Sequence, residues 1–169
     1  MRKVIIGCAI AGILGIGLFI LYVYMVLTPK TKDVSDVAPF AELMNRPVKT
    51  VKRTIIFEHP ITAPNENYPY VLEDGTIFGL QANLKKIVDL PVGTTVTFDL
   101  ANFITGGVSG TTAAYLYGTV FSEEKQQTYP FVYYWGDYRS LYEDRPYWFF
   151  GETFWLEQPL EEKFFIEVP

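Results

Sequence analysis

The strongest pattern in the chain lies at its start, where Val4 to Leu27 runs for 24 residues without a charge between Met1-Arg2-Lys3 and Thr28-Pro29-Lys30. At about 1.5 Å per residue a helix of that length covers on the order of 36 Å, more than the roughly 30 Å hydrocarbon core of a bilayer, so the pattern predicts a tilted transmembrane helix. Tyr22 and Tyr24 fall where an interfacial aromatic belt would be. A cleavable signal peptide is the rival reading, but its apolar core is shorter and ends on a small-x-small site, which Tyr24-Met25-Val26-Leu27 does not offer. Lipidation at Cys8 fits poorly, because the apolar core follows the cysteine instead of preceding it. Gly7, Ala11 and Gly15 recur every four residues with Cys8 and Gly12 alongside. That spacing makes a face of small side chains on which a second helix could pack, although Gly and Ala are also simply frequent in such helices.

Beyond the helix the pattern changes from continuous to alternating. Thr28 to Asp36 is polar and reads as a tether, and Val37 to Asn45 reads as a short helix with Asp36 as its N-cap, stopped by Pro47. Val48 to Glu58 alternates Val51, Arg53, Ile55 and Phe57 with Lys52, Thr54, Ile56 and Glu58, which predicts a strand. Tyr68–Leu72 and Thr76–Leu80 flank Glu73-Asp74-Gly75, a hairpin signal because Gly supplies positive φ. Gln81 to Asp89 places Leu84, Ile87 and Val88 at helical spacing and predicts a short amphipathic helix. Thr94–Leu100, with Val96, Phe98 and Leu100 on one face, and Thr112–Phe121 read as strands joined by the glycine-rich loop Thr105–Gly110, and Lys163–Val168 as a closing strand.

These elements divide the chain into a basic tail (1–3), a transmembrane helix (4–27), a juxtamembrane tether with a short helix (28–46) and a single mainly β domain (47–169). Strand, hairpin, helix and two further strands is the element order of an OB-like barrel, and a small β-sandwich with one or two short helices is the other architecture it fits.

Charge refines the picture. Arg2 and Lys3 are two of the 14 bases, so the part from Thr28 onward holds 12 bases against all 19 acids. A surface so acidic repels nucleic acid, and the basic group Arg46, Lys49, Lys52 and Arg53 reads as the solvated face of a strand or as a lipid-headgroup contact. The short basic tail before a first apolar helix is the form of a signal anchor, which places the domain outside the cytoplasm, on the periplasmic side of a bacterial inner membrane. The absence of an Asn-x-Ser/Thr sequon after Thr28 points the same way.

Between Tyr129 and Trp155, 13 of 27 residues are aromatic. So many rings have three uses: packing within the domain, anchoring a protein interface, or stacking on sugars. The stretch from Gly136 to Pro146 mixes rings with charges as an exposed recognition loop does, so the candidate contact residues are Trp135, Asp137, Tyr138, Tyr142, Glu143, Asp144, Tyr147 and Trp148.

Candidate chemistry is thin. The single cysteine is Cys8 and the single histidine is His59. Zinc sites and Cys/His or Ser/His/Asp catalysis are therefore not expected, nor is any cofactor or metal. Carboxylate pairs remain, and Asp137, Glu143, Asp144 and Glu152 lie among aromatic residues as a glycosidase would require. The sequence is read as a membrane-anchored, non-enzymatic protein-binding module, either an accessory subunit of a membrane complex or an immunity or inhibitor-type protein. The alternative is an envelope polysaccharide-binding domain, with carboxylate-dependent hydrolysis the lesser variant.

Overall fold

The computed structural model describes residues 2–59, 63–75 and 84–169, with the side chains of the first helix described from Gly12 onward. Helix α1 (Arg2–Leu27) leads into β1 (Lys30–Asp33), a 3-10 turn (Phe40–Glu42) and the strands β2 (Pro47–Lys49), β3 (Thr54–Glu58), β4 (Tyr70–Asp74), β5 (Lys86–Leu90), β6 (Thr95–Thr105), β7 (Thr112–Ser122) and β8 (Gln127–Tyr134). A small antiparallel pair, β9 (Asp137–Arg139) with β10 (Tyr147–Phe149), forms a second sheet among the described residues. Among the described residues no helix is long and apolar enough to cross a membrane. In the described part of α1, Ile13, Leu14, Ile16, Leu18, Phe19 and Ile20 all stand exposed.

The eight strands β1 to β8 form one sheet in the order β1-β6-β7-β8-β4-β3-β5, with β2 alongside β1 on the same edge of β6. The path is open at both ends, so the sheet is not a closed barrel and the OB-like expectation is overturned. One joint in the sheet is parallel: Tyr70 and Val71 of β4 lie beside Phe131 and Val132 of β8, between otherwise antiparallel neighbours.

Local readings fail where tertiary pairing outweighs local pattern. The tether is a strand: Lys30 to Asp33 pair with Thr105 to Asn102, and Lys32 Nζ donates to the Glu167 carbonyl at 2.7 Å. The helix of 37–45 reduces to one 3-10 turn, which sets Phe40 into the core edge-on to Phe103, Trp135 and Phe150. The strand of 48–58 is two strands, interrupted where Val51 N–H donates to the Phe154 carbonyl at 2.7 Å. The hairpin partner at 76–80 lies outside the described residues; β4 pairs with β3 and β8. Where an amphipathic helix is expected at 81–89, Lys86–Leu90 is a strand on β3; Val88 and Leu90, two apart, are both buried, a period of 2 winning over 3.6. The closing strand at 163–168 reduces to a single bridge between Phe164 and Trp148.

A bulge decides which side chains of β6 face the core. Register slips between Phe98 and Leu100, so Val96 and Phe98 are followed inward by Ala101 and Phe103, and Leu100 turns to the opposite face across from Tyr117. The slip brings the β6 backbone hard against β7: a Cβ on Gly118 would sit 2.2 Å from the Thr97 carbonyl oxygen. Only a residue without a side chain fits there.

The core lies on one face of the sheet, with Ile56, Leu72, Phe98, Phe103, Leu116 and Phe131 at its centre. What covers it is the chain after β8. Trp148 stacks on Phe103 at 4.1 Å, and Phe154 and Trp155 pack on Phe98 and Tyr133. Eight of the 13 rings between Tyr129 and Trp155 are buried, namely Tyr129, Phe131, Tyr133, Trp135, Trp148, Phe150, Phe154 and Trp155. Packing within the domain is therefore their principal use.

Candidate functional site

Two cavities meet on the surface where β8 ends and β9 begins. The larger, of about 600 Å³, is lined by Gly110, Thr111 and Thr112 from the β6–β7 connection, Tyr134 from β8, and Asp137 to Leu141. The smaller, of about 230 Å³, is lined by Glu73, Tyr133, Tyr134, Trp135, Gly136, Asp137, Phe149, Gly151 and Glu152. Tyr134 and Asp137 belong to both, so they form the wall shared by two adjoining pockets of a surface groove.

Alternation along β8 places that wall. Tyr129, Phe131 and Tyr133 point into the core, which turns Tyr134 outward beside its cross-strand partner Tyr115, ring centroids 6.1 Å apart. Gly136, at φ 115°, then turns the chain in a conformation open to glycine, and a Cβ there would meet the Phe150 ring at 2.5 Å. The turn delivers Asp137 back toward Tyr134, whose hydroxyl donates to Asp137 Oδ1 at 3.3 Å, while Arg139 donates to Asp137 Oδ2 at 3.3 Å. Burial, then the Asp137 charge, pushes the Tyr134 phenol up, so it stays a neutral donor.

The smaller cavity is the acidic end. Burial lifts the Glu73 carboxyl from the ordinary 4.5 to about 7, against the lowering effect of the Asp74 N–H it accepts at 3.3 Å. Glu152 is drawn in by Lys52, at 3.1 Å, and Lys52 also stands 3.8 Å from Asp74. Burial, and after it the Glu73 and Asp74 charges, pushes the Tyr133 phenol up. Trp135 closes the floor, its indole N–H donating to the Gly151 carbonyl at 3.1 Å.

The sequence-predicted contact residues divide three ways. Asp137 and Tyr138 line the larger cavity, and Asp137 with one edge of Trp135 the smaller. Tyr142, Glu143 and Asp144 stand on the exposed β9–β10 loop, Glu143 facing Lys163 at 3.8 Å. Tyr147 is half-buried beneath the Lys163 ammonium, which sits 4.1 Å from its ring centre. Trp148 is fully buried and its indole N–H is bonded to the Ile166 carbonyl at 3.2 Å, so in this structure it packs within the domain. Trp135 is also buried and serves as floor and core more than as an anchor.

Tyr134, Arg139 and Glu73 are groove residues that the sequence reading did not select, whereas Glu152 was among its candidate carboxylates. Period-2 alternation already separates Tyr134 from the core face, but Glu73 and Glu152 converge only through the β4–β8 pairing and the return of the chain after β10. Of the small-residue helix face, Gly12 and Gly15 meet nothing within 4 Å of a built Cβ, and the side chains of Gly7, Cys8 and Ala11 lie outside the described residues. Among the described residues no group of three or more His, Cys, Asp or Glu is arranged to hold a metal.

No family model matches the chain, and no curated protein or solved structure resembles it significantly.

Proposed function

We propose that this protein is a membrane-anchored, non-enzymatic binding module that captures a protein partner in the Tyr134–Asp137 groove. The observation that carries the reading is that shared wall, an exposed tyrosine and a carboxylate oriented by an arginine between two adjoining cavities. Tyrosine offers a rigid apolar body with a polar tip, and the domain's excess of acids steers a basic partner toward it. The 24 uncharged residues before Thr28 and the exposed apolar side chains of α1 support an anchor in a bacterial inner membrane, with the domain on the periplasmic side. An accessory subunit of a membrane complex or an inhibitor of immunity type both fit this arrangement.

The test is affinity purification of the full chain in mild detergent with mass spectrometry of what remains bound, beside a Tyr134→Ala, Asp137→Ala double variant. Both side chains are at the surface, so the variant should fold. A stoichiometric protein lost in the variant supports the reading; a partner retained in the variant, or no partner at all, overturns it.

One observation favours a second reading, an envelope polysaccharide ligand. Glu73, titrating at about 7, shares a cavity with Glu152 and with tyrosine and tryptophan rings, a combination suited to sugar hydroxyls and, in the extreme, to acid-assisted glycoside cleavage. Retention of the chain on cell-wall polysaccharide, lost in Glu73→Gln, would establish this reading instead.

A further inference from the structure

The two ends of β7 are built differently. At about 3.4 Å per residue its 11 residues separate them by roughly 35 Å. At one end the β7–β8 turn carries Glu123, Glu124 and Lys125; at the other, Thr105 to Thr112 has no charged side chain. The uncharged end is where α1 joins the domain. A Cβ on Gly107 would lie 2.1 Å from the Leu27 carbonyl oxygen, and β1 begins three residues later by pairing Lys30 with Thr105. The helix exit is thus fixed against this turn.

Large apolar side chains crowd the same end. Val108, at the tip of the turn, is 85% exposed, and Leu141 on the β9–β10 loop is 81% exposed. The two loops adjoin, since Gly110, Thr111 and Leu141 line one cavity. Tyr142, next along the loop, is fully exposed and held at φ 64°. Of the neighbouring carboxylates Asp137 is matched by Arg139 and Glu143 by Lys163, while Asp144 is exposed on the same loop, and Lys30 stands exposed at the helix exit.

We infer that Val108, Leu141 and Tyr142 form a membrane-contacting tip, which inserts into the interfacial layer of the phospholipid bilayer that holds α1. Leucine and valine suit the acyl boundary, tyrosine the headgroup level, and lysine at the exit the lipid phosphates. Continuity of the turn with the end of α1 selects lipid as the occupant: a domain fixed to the helix at this end presents it to the bilayer surface. The acidic β7–β8 end then points away, and the groove, which shares Gly110 to Thr112 with the tip, opens along the membrane plane. The inference rests on the reading of α1 as a membrane anchor.

The test uses the full chain with Cys8→Ser in phosphatidylcholine–phosphatidylglycerol vesicles, carrying an environment-sensitive fluorophore on a single cysteine at Leu141→Cys or at Glu123→Cys. Vesicle flotation reads the anchor and quenching by lipids with a shallow doxyl group reads the tip. Both proteins should float, with quenching at Leu141→Cys at least twofold stronger than at Glu123→Cys, and a fluorophore at Val108→Cys should lose its quenching when Leu141→Asp and Tyr142→Asp are added. Flotation with equal quenching at the two positions overturns the tip while leaving the anchor intact; failure to float overturns both.

Discussion

Gly107 lies directly against Leu27, the last residue of α1, with no room for a methyl group between its Cα and the Leu27 carbonyl. Helix and domain are therefore joined by a backbone contact as well as by the short segment leading to β1. Gly107→Ala should force the turn and the helix end apart at a cost of about 1–3 kcal/mol. A lowered melting temperature of the full chain in detergent, with no such loss for Val108→Ala, checks it.

Gly118 is the tighter case. The bulge of β6 leaves its backbone 2.2 Å from any Cβ at this position, and both strands are central in the sheet. Gly118→Ala should lower stability by about 3 kcal/mol or more, enough to abolish most soluble expression of residues 28–169. Native-like urea unfolding of that variant would refute the register assigned to β6 and β7.

Trp148 and Tyr142 are both aromatic residues of the same loop-rich segment, and they should behave oppositely. Trp148→Ala removes a stacked, hydrogen-bonded core ring and should cost about 3–5 kcal/mol, whereas Tyr142→Ala should change stability by no more than about 0.5 kcal/mol. Parallel chemical denaturation of the two variants separates them.

Glu73 makes stability depend on pH in a stated direction. Its carboxyl has a higher pKa folded, about 7, than unfolded, about 4.5, so the folded state holds the extra proton between these values. Stability is greatest from this source below pH 4.5, falls as pH rises to 7, and is level above that. The full change is about 2–3 kcal/mol after allowance for partial exposure. Glu73→Gln keeps the Asp74 hydrogen bond and should flatten that slope, raising stability at pH 8; an unchanged slope between pH 5 and 7 would contradict the burial of this carboxyl.

The longest patterns were the most legible. The alternation of Thr112–Phe121 places β7 within one residue. What failed were segments whose pattern depends on a distant partner. Leu100 alternates with Phe98 in sequence but is turned away by a bulge that only Gly118 on the neighbouring strand explains. Lys86–Leu90 carries both a helical and a strand period, and pairing with β3 selects the second. The groove was half visible: Asp137 and Tyr138 follow from composition, whereas Tyr134 needs the core face to be known, and the burial of Trp148 could not be read from residue type.

The joining of β1 to the far end of the chain has a consequence for biogenesis. Lys32 bonds to the carbonyl of Glu167, and Phe164 bridges Trp148, whose ring stacks on Phe103. Sheet and cover are thus separated in time during synthesis. When β8 leaves the ribosome the apolar face of the sheet is already made, while the segment that shields it is still inside the exit tunnel. The emerging chain must keep that face from associating elsewhere until the covering segment is free, so truncations that spare every strand of the sheet but remove 150–169 should yield protein that is trapped by chaperones or degraded.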